Sequence, residues 1–247
     1  ATVDDGVWYT ESFIPWTVAS MKSQSGEIRK IKMAFYRMMM GIGKGVSTIK
    51  GSPFENLYLS VFNQYEVKNY SGAKLDLFPY VTVNQDMSRS DLLSKAGAEV
   101  FWKIDSSKQV NLTLNPDFGQ VESDEVVVNF SAFETFYSDR RPFFAENNNL
   151  FDVSDRMHRI INTRRIGGRP DYDCSIYGEL EEYCRQNKSE SSEIDFALKY
   201  TQKGEVDFGF MSASERDEKF SKGRDFYALR LNTKSDNLQY GYLGTYV

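Results

Sequence analysis

Histidine is almost absent from this sequence, which has one, His158, among 247 residues. A zinc site built from several histidine ligands is therefore excluded. A Ser-His-Asp triad would have to use His158, and no supporting signature surrounds it. We interpret His158 as a residue of a strand, and we expect neither a metal nor a cofactor.

Long apolar runs are also missing. No stretch of 18 or more apolar residues occurs, so the sequence predicts no transmembrane helix. A membrane protein is still possible, because the strands of a membrane barrel alternate lipid-facing and lumen-facing residues. The opening residues Ala1-Thr2-Val3 contain no basic, apolar signal region. Either a signal has been removed, or the chain starts inside a longer protein.

Basic residues are not in excess, since 35 acidic and 30 basic residues give a formal net charge of −5. Nucleic acid requires a basic face and is therefore not an expected partner.

Cysteines are few as well. Cys174 and Cys184 lie close together in a polar segment, where they fit a disulfide in an oxidising compartment. The alternative is a pair of free thiols.

Aromatic residues, by contrast, are abundant, with 15 Tyr and 18 Phe. Such residues favour strands and the girdles of membrane barrels. Apolar and polar residues alternate around residues 75–83, 96–104, 110–114, 194–201, 206–210, 227–231 and 238–246, and residues 7–16 read as a short strand closed by Pro15. Residues 27–40 fit either a strand or a helix. A period of two puts one side of each strand against an apolar medium, which is lipid in a barrel and core in a soluble sandwich.

The connections favour a barrel. Residues 105–107, 202–204 and 233–236 form tight turns, whereas residues 84–94, 167–192 and 214–223 are long and polar. Short turns on one side and long loops on the other are typical of outer-membrane barrels.

One segment carries most of the unusual residues. It contains Asn115-Pro116-Asp117-Phe118-Gly119-Gln120-Val121-Glu122-Ser123-Asp124, then Arg140-Arg141-Pro142-Phe143-Phe144-Ala145-Glu146, and later Thr163-Arg164-Arg165. This order resembles a signature of exported bacterial proteins of unknown function. Those proteins join an N-terminal domain like carbohydrate-binding module family 9 to a C-terminal outer-membrane barrel. The resemblance covers residues 74–168, and more weakly residues 7–16.

The resemblance implies an all-β chain in two parts. Residues 1–65 would be the C-terminal part of a carbohydrate-binding-module-like β-sandwich in the periplasm. Residues 66–247 would be the N-terminal part of an antiparallel outer-membrane β-barrel, with residues 116–154 as a plug or lumen segment. The chain then looks like an excerpt of a longer polypeptide.

The candidate site is this plug motif. Its residues are charged, amide-bearing or small, namely Asp117, Gly119, Gln120, Glu122, Asp124, Glu134, Arg140, Arg141, Arg164 and Arg165. We interpret them as a polar segment held by bidentate ion pairs of arginine with carboxylates. The alternatives are a hard-cation site and the paired acids of a glycosidase.

Strand direction gives a further expectation for residues 116–154. Antiparallel strands alternate direction, so successive connections alternate sides. If residues 116–154 formed an outer loop before a strand near residues 156–166, the long connections after it would face the periplasm. One additional crossing of the barrel within residues 116–154 would place those long connections outside the cell. The crossing could be a hidden strand over residues 125–133 or a plug that descends through the lumen. We favour the plug, because charged pairs suit a polar lumen better than lipid. Arg140 and Arg141 would then pair with Asp117 or Glu122.

The sequence therefore predicts a non-enzymatic outer-membrane barrel with a periplasmic carbohydrate-binding-like domain, for glycan or solute binding or transport. Outer-membrane lipids, glycans and other envelope proteins are the expected partners. The alternatives are a carboxylate-dependent glycan hydrolase and a scaffold of an envelope protein complex.

Overall fold

The structure is a computed structural model that describes residues 2–4, 7–16, 20–22, 24, 26–51, 58–70, 72–86, 91–116, 139–154, 159–188, 191–234 and 238–247. The chain forms two compact units, Gln24–Ser71 and a larger unit made of Ala1–Ser23 with Gly72–Val247. The predicted division into residues 1–65 and 66–247 groups the chain differently. It stays a prediction, because compactness does not identify the type of a domain.

The larger unit begins with a small antiparallel hairpin. Its strands are β1 (Thr2–Asp4) and β2 (Val7–Tyr9), with Thr2 opposite Tyr9. The strand predicted over residues 7–16 is therefore shorter than expected. Pairing stops at Tyr9 because the partner β1 is only three residues long.

The smaller unit resolves the ambiguous pattern of residues 27–40 in favour of strands. It contains β3 (Ile28–Met33), β4 (Tyr36–Met39), β5 (Lys44–Ser47) and β6 (Asn63–Lys68). Strand β3 pairs with β6, and β4 pairs with β5, both in antiparallel fashion. Arg29 is buried in this unit and donates from Nε to Asn69 Oδ1 at 3.0 Å.

The main element of the larger unit is a seven-stranded antiparallel sheet. Its strands are β7 (Lys74–Asp86), β8 (Asp91–Lys103), β9 (Lys108–Leu114), β10 (Ile194–Gln202), β11 (Val206–Glu215), β12 (Asp225–Lys234) and β13 (Gln239–Tyr246). Each strand pairs with its neighbours in sequence, so the spatial order runs from β13 to β7. The all-β antiparallel prediction is confirmed. The sheet is open, with β7 and β13 as its edges, and the described residues do not close it into a barrel.

In the described part of the connection between β9 and β10, two short α-helices occur, α1 (Pro142–Ala145) and α2 (Glu181–Gln186). Single 3-10 turns occur at Met40–Ile42, Tyr58–Val61, Asn148–Leu150 and Thr163–Arg165, and a longer, kinked one at Cys174–Leu180.

The two ends of the sheet carry different connections, as the sequence predicts. Residues 104–107, 203–205 and 235–238 connect strands at one end, which we call the short-turn end. Residues 87–90, 115–193 and 216–224 connect strands at the opposite end, the long-loop end. The prediction of a long loop over residues 84–94 is wrong, because β7 and β8 extend into it and leave only residues 87–90, a connection as short as residues 104–107 at the other end.

The prediction of a strand near residues 156–166 is wrong for the residues described there. They contain a single bridge, Ser154 to Arg159, and the turn Thr163–Arg165. The backbone amide of Ile166 bonds to the carbonyl of Thr163, so it is satisfied locally. Because β9 pairs directly with β10, residues 115–193 leave and re-enter the sheet at the long-loop end, and no additional crossing is needed. The hidden strand over residues 125–133 lies outside the described residues.

The two faces of the sheet have an unusual polarity. The buried face carries polar side chains at its centre, namely Gln109, Asn111, Thr113, Lys199 and Thr201, each at most 4% exposed. The opposite face carries exposed apolar side chains, among them Leu75, Leu77, Val81, Val83, Tyr240, Tyr242 and Tyr246, each at least 57% exposed. We call these the polar face and the apolar face. A half-buried soluble sheet places its apolar residues inward and its polar residues outward, whereas this sheet buries charged and amide side chains and exposes a row of apolar ones.

Candidate functional site

Part of the longest connection packs on the polar face. We call residues 139–154 and 159–168 the covering segment. Helix α1 brings Phe143 and Phe144 into contact, with ring centroids 4.9 Å apart, and both rings are buried. Pro142 suits the first helical position, because its backbone lacks the N–H that would find no partner there.

Small side chains on the sheet make room for these rings. The core consists of Phe143, Phe144, Leu150, Phe151 and Ile166 from the covering segment, with Ile194, Ala197, Met211, Ala213 and Ala228 from the sheet. Gly209 is required for the closest approach. A Cβ atom at Gly209 would lie 2.7 Å from Phe151 Cζ and 2.8 Å from Leu150 Cδ2, closer than carbon atoms pack without strain.

Lys199 fixes α1 to the sheet. Its Nζ donates to the carbonyl oxygens of Phe143 and Glu146, and it lies 5.2 Å from the ring centroid of Phe143. Unpaired carbonyls at the end of a helix carry partial negative charge, so a cation is stabilising there. The lysine is buried, and these carbonyls replace the water that its ammonium group loses.

Other side chains of the polar face bind the covering segment at residues that follow α1. Arg230 donates from Nε to the carbonyl of Leu150 at 3.2 Å. Asn147 donates to Gln109 Oε1 at 3.0 Å, and Asn111 donates to Glu146 Oε2 at 3.2 Å. Gln109, Asn111 and Lys199 of the buried face are therefore matched by polar groups of the segment above them, as burial usually requires. The hydroxyl of Thr113 is buried without a hydrogen-bond partner among the described residues.

A second cluster ties together the two ends of the covering segment. Asp139 accepts from Arg141 Nη2 at 2.6 Å and Nε at 2.9 Å, and from Thr163 Oγ1 at 2.8 Å. Arg141 also donates to the carbonyls of Thr163 and Ile166, each at 2.7 Å. Burial alone would raise the pKa of Asp139, but the hydrogen bonds and charge of Arg141, with the Thr163 hydroxyl, outweigh it and hold that pKa below its usual value.

Glu215 anchors the segment at the long-loop end. Its side chain is buried and accepts from the backbone N–H of Gly167 at 2.8 Å. Arg224 compensates the charge, with its Nε 2.9 Å from Glu215 Oε2. The carboxylate therefore joins the covering segment to the end of β11.

The predicted plug residues are found in part. Arg141 lies in the Asp139 cluster, while Arg164 and Arg165 are exposed in the turn Thr163–Arg165. Arg140 is exposed beside Arg141. The other predicted residues, Asp117, Gly119, Gln120, Glu122, Asp124 and Glu134, lie outside the described residues, as does His158. The predicted pairing of Arg140 and Arg141 with Asp117 or Glu122 therefore stays a prediction.

Sequence reasoning overlooked Asp139, Lys199, Gly209 and Glu215 as functional residues. A signal for Lys199 was present, because it stands on the polar side of a regular alternation together with Thr201. The partners of these residues are distant in sequence, so the alternation alone does not reveal them.

Cys174 and Cys184 are joined by a disulfide, which is the pairing preferred from the sequence. The bridge is buried and packs against Phe220, with Tyr172 and Tyr177 beside it. It therefore closes a small compact loop at the long-loop end of the sheet.

Together these features define a mostly β protein in which a segment of the longest connection covers a buried polar sheet face. The chain belongs to the family described as a domain of unknown function, DUF5916, whose match spans residues 71–234. Neither a curated protein nor a solved structure matches the chain. No helix in the described part is long and apolar enough to cross a membrane. Within the same residues, no group of three or more His, Cys, Asp or Glu side chains is placed to hold a metal.

Proposed function

We propose that the chain forms part of the wall and plug of a bacterial outer-membrane β-barrel that binds or transports solutes or glycans without a reaction centre of its own. The observation that carries this proposal is the reversed polarity of the seven-stranded sheet. Its polar face is buried under the covering segment, while its apolar face is exposed along β7 and β13.

The energetic argument concerns the apolar face. An exposed Leu or Val side chain forgoes about 1.5–3 kcal/mol relative to full burial, and the apolar face has many such side chains. Soluble monomers seldom expose contiguous apolar patches of this kind. Lipid around the sheet would remove the apolar face from water. The polar face would then line the lumen, as it does in membrane barrels.

The covering segment fits the role of a plug in this arrangement. It contacts the polar face from the long-loop end, where Gly167 binds Glu215, towards the short-turn end, where Asn147 binds Gln109. In outer-membrane barrels short turns face the periplasm and long loops face outward. The proposed orientation therefore places Asn147 near the periplasm and the disulfide loop outside the cell.

The placement of residues 20–22 supports this orientation. The backbone N–H of Met21 donates to the carbonyl of Ser106 at 2.7 Å, and Ser20 Oγ donates to Asn147 Oδ1 at 3.0 Å. The chain thus reaches the sheet at the short-turn end. This is the end expected if a carbohydrate-binding-like domain precedes the barrel in the periplasm.

The two carboxylates that hold the covering segment favour a structural role over a glycan hydrolase. Asp139 is occupied by Arg141, and Glu215 is occupied by Arg224. A glycosidase needs one carboxylic acid that donates a proton and a second carboxylate that acts as nucleophile or base. Asp139 is a poor proton donor, because Arg141 holds its pKa below the usual value.

Fractionation of cells that express the intact gene product tests the proposal. We expect the protein to sediment with the outer membrane, to resist an alkaline carbonate wash and to dissolve only in detergent. Its electrophoretic mobility should shift on boiling, as folded membrane barrels unfold. Recovery in the soluble fraction without detergent would contradict the proposal.

A further inference from the structure

Two adjoining cavities lie between the covering segment and the sheet near the short-turn end. One is an open cleft with a volume of about 470 Å³, lined by Asp76, Phe78, Phe101 and Pro142. The other has about 300 Å³ and is lined by Ser20, Gln109, Asn147, Asn149 and Lys203. Lys103 and Glu146 line both cavities, so the two volumes share one wall.

From these cavities we infer a binding site for a neutral, hydroxyl-rich solute of the oligosaccharide class. This inference deepens the proposed function, on which the periplasmic position of the site rests. Three observations support the chemical class, namely the charge balance, the polar lining and the aromatic wall.

The charges of the lining are already balanced within the protein. Lys103 Nζ lies 3.4 Å from Glu146 Oε1, and Lys203 Nζ lies 3.9 Å from Asp207 Oδ2. Asp76 is paired with Lys74 at 2.7 Å. A charged ligand would leave one of these groups uncompensated, which is costly in a partly buried site. The balance therefore favours a neutral ligand over an anion or a cation.

The smaller cavity is rich in groups that bind hydroxyls. The amides of Gln109, Asn147 and Asn149 lie beside the hydroxyl of Ser20. Asn147 donates one N–H to Gln109 and accepts from Ser20, and Gln109 donates one N–H to Asn111. The nitrogen of each amide carries two N–H groups, so at least one of them can donate to a ligand. A hydroxyl group donates one hydrogen bond and accepts others, so paired amides and ion pairs suit it better than isolated charges. A solute with several hydroxyls would make several such bonds at once.

The larger cavity supplies an apolar wall. Phe78 and Phe101 meet edge to face with centroids 6.0 Å apart, and Phe78 is more than half exposed. Sugar rings present an apolar C–H face beside their hydroxyl rim. Phenyl rings next to a polar lining therefore match the two surfaces of a sugar, and ligand sites commonly combine apolar walls with a few placed polar groups.

The test is calorimetric titration of the intact gene product with maltotriose, cellotriose and chitotriose, and with citrate and spermidine as charged probes. We expect a neutral trisaccharide to bind and the charged probes not to bind. Lys103→Met should weaken that binding by about tenfold or more, because it removes a charged hydrogen-bond donor.

Lys95→Met is the matched control. Lys95 also projects from β8 and pairs with Glu193 at 3.4 Å with the same side-chain exposure of 22%, but it lines neither cavity. We expect wild-type affinity for this variant. If Lys103→Met does not fold, the exposed Asn149 carries the test, and Asn149→Ala should weaken binding about threefold or more.

The inference is overturned if none of the three trisaccharides binds, if a charged probe binds in their place, or if the cavity variants bind like the wild type. The mobility shift on boiling, measured on the same samples, separates this outcome from failure of the proposed function. A protein that folds as a membrane barrel and binds no trisaccharide overturns the site alone. A protein that needs no detergent contradicts the proposed membrane barrel. Its titration with the trisaccharides still tests the proposed binding site.

Discussion

Lys199 and Phe143 are joined across the boundary between the sheet and the covering segment, where the lysine ammonium donates to the phenylalanine carbonyl and lies 5.2 Å from its ring centroid. A buried cation on a strand thus binds the backbone of α1 and the face of one of its rings. This contact ties the polar face of the sheet to the segment that we propose as a plug.

Removal of the Lys199 charge should loosen the covering segment. Lys199→Met keeps the apolar stem but leaves the buried carbonyl of Phe143 and the partly buried carbonyl of Glu146 without their donor, at a cost of about 1–3 kcal/mol. We expect roughly tenfold to hundredfold faster proteolysis within residues 139–166, since local opening governs cleavage. Lys108→Met, at a partly exposed lysine near the short turn, is the control. Equal protection of the two variants would exclude this role for Lys199.

Gly209 should tolerate no side chain. Gly209→Ala places a methyl group against Phe151 and Leu150, and overpacking of this kind costs about 1–3 kcal/mol. The covering segment should lose protease protection in Gly209→Ala and regain part of it when Phe151→Leu is added. Gly204→Ala is the matched control, because the nearest atom to its Cβ lies 3.4 Å away. The packing account fails if Gly204→Ala is the more disruptive change.

More of the fold than of the candidate site could be predicted from the sequence. The strands could be predicted because a period of two is a local property. The strand predicted near residues 156–166 is wrong for the residues described there, because the direct pairing of β9 with β10 decides the topology and joins residues that are distant in sequence. Arg141 could be found from its motif. The partners of Lys199 are carbonyls more than 50 positions away, and no local pattern indicates them.

Acid should release the cluster of Asp139 and Arg141. Because the folded pKa of Asp139 is lowered, its stabilising contribution is fully present above the unfolded pKa of about 4. It is lost as the pH falls through the lower folded value. Hydrogen exchange of residues 163–168 should therefore be insensitive to this group near neutral pH and should report a loss of stability below about pH 4.

Asp139→Asn should weaken protection at neutral pH and remove most of this acid-dependent loss. Asp152→Asn serves as control, since Asp152 forms a longer contact with Arg159, at 3.8 Å, and should leave the loss in place. An unchanged acid profile in Asp139→Asn would assign the acid sensitivity to another group.

Reduction of the disulfide should act locally. Cys174 and Cys184 close a loop over a separation of ten residues, and loops of about this size are stabilised by roughly 3 kcal/mol or less. After reduction, hydrogen exchange should increase in residues 172–188 and remain unchanged in β10 and β11. Loss of protection throughout the sheet would show that the loop supports the fold as a whole.

The central claim is that the apolar face meets lipid and the polar face does not, and adjacent residues of β7 test it most directly. Val81 lies on the apolar face and Thr82 on the polar face. The measurement is quenching of a bimane label, attached to Val81→Cys or Thr82→Cys of the intact gene product in liposomes, by lipids brominated along their acyl chains. The account predicts strong quenching at position 81 and weak quenching at position 82. Equal quenching at the two positions, or stronger quenching at position 82, would contradict it.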